Sequence, residues 1–585
     1  MATYDTIIRG GRVIDGTGSP SFHADIGVRQ GKIAAIGELS GDEATTVIDA
    51  RGKVVAPGYV NQHSHYDVQL FWNPTCSNAG ENGVTTVVNA NCGFGIAPVR
   101  AKDRERAMAM METTEQIPVT HQRSALPWDW ESFPEFLARV EALPKGVNVA
   151  TYLPLNMLLV WVMGVEAAKT RAPTPAEMAE IHTLINEAMD AGAIGLSMSC
   201  MGAEGNSHID CDGTPMPTDV ASHDTIIEIC RALAERGEGV IQLLSHLIVY
   251  GDRSLTERVC DVCKGTGVTV IHNAFMTSDL FPHKIEEDLA WLEQQRAQGL
   301  DVIANVLANR GWIEAGMRQL DVACGMLSSV RRIAACQSDV EVLALVSDPA
   351  YRRSFTEEYA AKGATNGANG LEGQIVIGLG DDPALQPYLD RTLADIAADM
   401  SLGVVECMLE LAARSHLALQ LRSPQIGSTD PRQAARLFGH YATVIGGSDG
   451  GAHTKSFGLG HVPTDMLLWL SRETGLMTPE ALHFHLGLKV ARALQIKDRG
   501  ALLPGFWADL LIYNPEALYI DLKRYEIVHD MPEGDWRRKG RAGGYDYILV
   551  NGEITHRGDK PTGSTPGHLL RICPDRGTAL AMAAE

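Results

Sequence analysis

The chain has 585 residues, enough for three or four units at roughly 150 residues each, although an α/β barrel alone can absorb about 250. Hydrophobic residues make up 45% and charged residues 21%, which excludes a disordered chain, while 58 glycines and 27 prolines point to many tight turns. Lys and Arg (50) against Asp and Glu (72) leave a net charge of −22, a field that repels nucleic acid and anionic membranes, so neither is expected as a partner.

The opening MATYDTIIRG has no charged-then-apolar signal segment, and the 11 cysteines fall at irregular spacings. Such a set reads as reduced thiols in a cytoplasmic protein. The most apolar stretch, residues 157–165, is far shorter than the ~20 residues of a membrane span and reads as core or loop-cover packing. A symmetric homo-oligomer is the default for a soluble assembly.

Residues 1–56 are short β runs broken at Gly-Gly, Asp-Gly and Gly-Lys, which is hairpin chemistry. The same texture returns at 508–515 and 547–558, so a small β-sandwich built from both termini is expected, from 1–56 and 499–585. Between them, residues 57–498 alternate β-branched runs with helical patterns. Eight buried strands are predicted at 59–65, 84–91, 147–153, 193–198, 240–245, 268–273, 302–306 and 443–447, with an amphipathic helix over Pro175–Ala191. Eight β/α units make a (β/α)8 barrel, an α/β fold. Residues 94–146 and 307–442 are too long for single crossovers and read as insertions, the second mainly helical.

The first barrel strand carries the strongest motif, Pro57-Gly58-Tyr59-Val60-Asn61-Gln62-His63-Ser64-His65-Tyr66-Asp67. Side chains alternate along a strand, so His63 and His65 share a face and can bind one metal ion. The plain alternative is two polar residues at a strand end. Strand two ends in Asn91-Cys92-Gly93; a thiolate there could ligate or bridge metal, or Cys92 could be a small buried apolar residue. His246 closes strand five and His272 closes strand six. Either alone reads as a rim or core histidine, but both stand at the same barrel end as His63 and His65. Asp449 lies just beyond strand eight in Gly447-Ser448-Asp449-Gly450-Gly451-Ala452-His453, placed to take a proton from metal-bound water and to touch the metal, or simply to make an Asp-Gly turn. His483 and His485 stand two apart on a predicted helix and do not share a face. Cys260 and Cys263 form a Cys-x-x-Cys with no second pair to complete a zinc site.

The order His-x-His, Cys, two strand-end histidines and a post-strand-eight Asp resembles the amidohydrolase superfamily, and within it the D-aminoacylase (N-acyl-D-amino-acid deacylase) family. The likeness runs through IIRGGRVIDGTG, PGYVNQHSHYD, GVTTVVNANCG, AGAIGLSMS, GGSDGGAH and KDRGALLPGFWADLLIYNP. It implies a metal-dependent barrel with a β-sandwich from both ends. It also implies one or two Zn²⁺ ions at His63, His65, Cys92, His246, His272 and Asp449, and a small-molecule amide as substrate. Hydantoinases, dihydroorotases and ureases use a carboxylated lysine from strand four, and the 193–198 segment has none. D-Aminoacylases use the strand-two cysteine instead, the place of Cys92. One departure stands out: the family's strand-five histidine sits closer to the opening Gly-Val than His246 does, where Leu244 falls. His246 therefore reaches the metal only on a longer or bulged strand.

The activity so implied is hydrolysis of an N-acyl-D-amino acid to a carboxylate and a D-amino acid, with Asp449 as proton acceptor and Arg310, after strand seven, as the partner of the substrate carboxylate. Two alternatives remain: a related hydrolase of another amide, a cyclic amide or an aminated ring, and a barrel that serves as a binding or scaffold protein without chemistry.

Overall fold

The computed structural model describes residues 3–203, 208–247, 250–320, 327–363 and 370–572. The end of the C-terminal segment, 573–585, lies outside the described residues.

Eight parallel strands form the central barrel. They are Tyr59–Asn61, Val84–Asn89, a third strand split into Asn148–Thr151 and Leu153–Pro154, then Gly195–Ser199, Val240–Leu244, Thr269–Met276, Val302–Leu307 and Thr443–Ile445. Each pairs in parallel with its neighbours, and a bridge between Ser64 and Gly450 joins the eighth strand to the first. The lower interior is a layer with one apolar side chain from each strand or, for Ile194, from just before it: Val60, Val88, Ala150, Ile194, Val240, Ile271, Ile303 and Val444. Val490 and Leu494 close it from below. β-Branched residues dominate this layer, as the pleated, fully buried wall of a barrel favours.

Helices cover the outside, and their ends are written locally. The helix Pro175–Ala191 starts at a capping box in which the Thr174 hydroxyl accepts from Glu177 N while the Glu177 carboxylate accepts from Thr174 N. Pro175 fills the first turn, and Gly192 ends the helix in the left-handed region. The 157–165 stretch becomes the helix Leu155–Met163 with Leu155, Leu158 and Leu159 in the core.

Both termini contribute to one further sheet of nine strands. Tyr4–Val13, Phe22–Arg29, Lys32–Gly37, Ala44–Asp49 and Val54–Pro57 join Leu510–Tyr513, Tyr545–Val550, Glu553–Arg557 and Lys560–Pro561. The seam is antiparallel pairing of Val54–Pro57 with Leu510–Tyr513, and Ile8, Ile26, Val55, Leu510 and Leu549 share its core. The first insertion supplies the helices Arg104–Glu115, Val119–Ala125 and Phe133–Ala142. Among the described residues the second is mainly helical and carries a three-stranded antiparallel sheet of Glu314–Ala315, Ile375–Leu379 and Leu419–Arg422. No helix among the described residues is long and apolar enough to cross a membrane.

Candidate active site

The site assembles where the first, second and eighth strands end. His63 and His65 follow Tyr59–Asn61, and their ring centroids are 5.5 Å apart. Cys92 follows the second strand, and its Sγ stands 3.4 Å from His63 Nε2. Donor atoms of His63, His65 and Cys92 all lie within 4.8 Å of one another, and all three side chains are buried. Asp449 Oδ1 reaches both rings, at 3.2 Å from His63 Nε2 and 3.8 Å from His65 Nε2.

The backbone is bent to make this possible. Cys92 and Asp449 both adopt positive φ, at 58° and 44°. For residues other than glycine this region costs about 1 kcal/mol or more each, and such outliers concentrate at functional sites. The turn after Asp449 approaches the first strand so closely that His65 N donates to Gly450 O at 2.7 Å. A side chain on Gly451, at φ +94°, would meet His65 O at 2.4 Å, so that position accepts only glycine.

Burial and neighbouring charge set the protonation states. Burial pushes the Cys92 thiol well up, and the carboxylates of Glu115, Asp449 and Asp219 push it further. Burial and then the charge of His63 lower His65 to about 3. For Asp449, burial acts upward but is outweighed by the His63 hydrogen bond and the charges of His63, His65 and His453, which hold the carboxyl far below its usual range. Asp449 is therefore an ionised carboxylate, the form that can accept a proton.

His272 and His246 are corrections to the sequence reading: the structure does not bring them to this cluster. Ile271 belongs to the inner layer, so the alternation of the strand turns His272 outward. There its Nδ1 lies 3.0 Å from Thr256 Oγ1, on the helix Ser254–Cys263, and its ring stands 5.0 Å from that of Trp291, on the helix Lys284–Ala297. His246 lies on the same outer side, 6.4 Å ring to ring from His272, in the short strand His246–Leu247. The inward positions belong to amides. Cys92 N donates to Gln242 Oε1 at 2.7 Å, and the Asn273 amide nitrogen stands 2.9 Å from His63 Nδ1.

Arg310 is the third correction. Its Nε donates to Asp465 Oδ1 at 2.7 Å and its terminal nitrogens to the two Glu473 oxygens at 2.5 and 3.2 Å. Its charge is already balanced by two carboxylates and is not offered to a substrate.

Two neighbours escaped the sequence reading altogether. Glu115, the last residue of the helix Arg104–Glu115, is buried, with Oε2 3.6 Å from His65 Nε2 and 3.8 Å from His453 Nε2. No motif marks Glu115; His453 closes the GGSDGGAH segment and is legible there only as part of the loop. His483 instead pairs with Tyr513 Oη at 2.7 Å and stacks on Tyr59, and Cys260 and Cys263 are buried in the helix Ser254–Cys263, so these are structural.

Comparison with known proteins agrees with this architecture. The model of the amidohydrolase family matches residues 46–556. D-Aminoacylase of Alcaligenes xylosoxydans xylosoxydans is 25% identical over 584 residues, covering 97% of both chains. N-Acyl-D-glutamate deacylase of the same organism is 25% identical, covering 99% of this chain and 98% of its own. Among solved structures, N-acyl-D-glutamate deacylase from Bordetella bronchiseptica, complexed with zinc and a phosphonate inhibitor, superposes with a TM-score of 0.64. It is 24% identical and covers 97% of this chain and 99% of its own, a likeness of fold. With a barrel whose strand ends gather His63, His65, Cys92 and Asp449, and a family match over most of its length, the chain belongs to the amidohydrolase family and is a hydrolase of carbon–nitrogen amide bonds.

Proposed function

We propose that this enzyme is a zinc-dependent deacylase that cleaves N-acyl-D-amino acids to a carboxylate and a D-amino acid. The observation that carries the reading is Cys92, a buried thiol whose Sγ shares a donor cluster with His63 and His65. Imidazole nitrogen with thiolate sulfur is a donor set that suits Zn²⁺. The fourth strand, Gly195–Ser199, contains no lysine, which favours the cysteine-type site over the carboxylated-lysine type. Full-length similarity to D-aminoacylase and N-acyl-D-glutamate deacylase supports the substrate class.

His63, His65 and Cys92 would hold the ion, with Asp449 facing it. Zinc bound there supplies Lewis-acid activation of a water and of the substrate carbonyl. Asp449 Oδ1 accepts the proton lost as the water oxygen bonds to the acyl carbon. It then returns that proton to the amide nitrogen as the C–N bond breaks. The inward-facing wall of Gln242 and Asn273 holds the backbone of Cys92 and the ring of His63 in place.

Asn273 also decides which nitrogen of His63 carries the proton. For Nε2 to offer a lone pair to an ion held with His65 and Cys92, the ring proton must sit on Nδ1 and needs an acceptor. Amide nitrogen and oxygen are interchangeable by rotation, and Asn273 Oδ1 has no hydrogen-bond partner among the described residues as placed. Turning the amide satisfies both groups. Asn273→Leu is therefore expected to weaken zinc binding about 10- to 100-fold in competition with a chelator, while Asn273→Asp retains it. Equal affinity in Asn273→Leu and the parent would refute the role.

The substrate assignment is tested with N-acetyl-D- and N-acetyl-L-amino acids bearing neutral, aspartyl and glutamyl side chains, scored by amine release from the zinc-loaded enzyme. Turnover confined to the D series is expected. Ring opening of a cyclic amide with no release from any N-acyl-D-amino acid would overturn it.

A further inference from the structure

We propose that Arg538, from the C-terminal part of the chain, is a positioning residue for the reaction: it clamps the loop that carries Asp449. The proposal rests on the reading of Asp449 as the proton acceptor. Arg538 stands on a hairpin in which Glu526–Val528 pairs antiparallel with Arg537–Lys539. This hairpin leaves the nine-stranded sheet after Leu510–Tyr513, and the chain returns to that sheet at Tyr545–Val550.

The loop needs support from outside. Between Thr443–Ile445 and the short helix Leu459–His461 the chain forms no strand or helix of its own. Asp449 and His453 both hold positive φ there, at 44° and 49°, a conformation that persists only where the surroundings over-determine it. Three successive carbonyls of this loop are taken by donors from distant segments. Arg538 N donates to Thr454 O at 2.7 Å, the Arg538 guanidinium donates to Lys455 O, and Glu314 N donates to Ser456 O at 2.8 Å. A fourth tie, from His453 N to the Glu115 carbonyl at 2.7 Å, holds the stretch nearer Asp449.

Arg538 joins these ties into one unit. Its Nε donates to Glu314 Oε2 at 2.7 Å and a terminal nitrogen donates to Gln420 Oε1 at 2.9 Å. One planar fork therefore bonds the loop and two paired strands of the second insertion, Glu314–Ala315 and Leu419–Arg422. Arg538 and Glu314 are both buried, a setting in which charges are kept only when paired and hydrogen-bonded. Lys455 adds a second link to the hairpin, donating to Asp535 Oδ2 at 2.6 Å and to Trp536 O at 2.5 Å. A lysine at 538 could not reproduce the fork, because an ammonium is a point charge with no fixed plane of donors. Proton transfer depends on placement, and a shift of about 1 Å costs about 100-fold in rate. A loosened loop should thus slow the chemical step and leave substrate binding largely as it was.

The test compares the zinc-loaded, full-length parent with R538K and with E314Q/R538M, which removes the buried pair together and leaves no unpaired charge. Each is assayed on the amide that the parent cleaves fastest. In E314Q/R538M kcat should fall about 10- to 100-fold with KM within about twofold and zinc content unchanged, and R538K should lie between it and the parent. In the Asp449→Asn background the same double change should cost less than about twofold, because a residue that acts through Asp449 then has nothing left to position. A kcat of E314Q/R538M close to the parent's, or a loss just as large in the Asp449→Asn background, would overturn the clamp. Should circular dichroism show E314Q/R538M misfolded, R538K decides: a loss of kcat that disappears in the Asp449→Asn background supports the clamp, and a parental kcat rejects it. A parental kcat in Asp449→Asn alone would instead remove the proton acceptor on which the proposal rests.

Discussion

Asp449→Asn is expected to lower kcat by about 10³- to 10⁴-fold in enzyme verified to carry its metal, because general acid–base transfer by one positioned carboxylate contributes on that scale. Asparagine is the informative replacement for a backbone reason. Asp449 sits at φ 44°, and asparagine, unlike alanine, visits the left-handed region readily. The turn that lets His65 N donate to Gly450 O should therefore survive, and the loss can be assigned to chemistry. The held-down acidity of Asp449 adds a second expectation: the carboxylate stays ionised through the neutral and mildly acidic range, so it supplies no inflection of kcat/KM there. Loaded Asp449→Asn within tenfold of the parent rate would remove this residue from the proton path.

The second large effect is on metal binding. Cys92→Ala should weaken zinc affinity more than about 100-fold, since even partners that only orient a ligand are worth 10- to 100-fold. Cys230 and Cys260 are equally buried, but on the outer helices His223–Arg236 and Ser254–Cys263, so their alanine variants serve as controls with unchanged affinity. The Cys92 thiol is pushed well up by burial, so an ion that binds it must displace a proton. Apparent affinity in the parent should then rise about tenfold per pH unit, and that slope should be lost in Cys92→Ala. Metal content independent of both pH and Cys92 would sink the cysteine-type centre.

Much of the frame was legible in the chain itself, for local reasons. The eight strands announce themselves as β-branched runs because a barrel wall is buried on both faces and needs no polar alternation. The helix Pro175–Ala191 is bounded by its own residues, Thr174 and Glu177 at one end and Gly192 at the other. His63 and His65 share a face because strand alternation has a period of two, and Gly450 and Gly451 mark the sharp turn that follows Asp449.

What only the tertiary structure decided are questions of facing and of pairing between distant segments. His272 and Asn273 are adjacent, and one register step sends the first to the helix layer and the second to His63. That step is set by Ile271 packing into the inner layer against seven other strands, which no local pattern encodes. Arg310 reads as a free cation until Asp465 and Glu473, more than 150 positions further along, fold onto it. Glu115 is one acid in an insertion helix until the loop carrying His453 closes over it. Motifs report what a residue can do; burial, register and long-range charge pairing decide which residues meet.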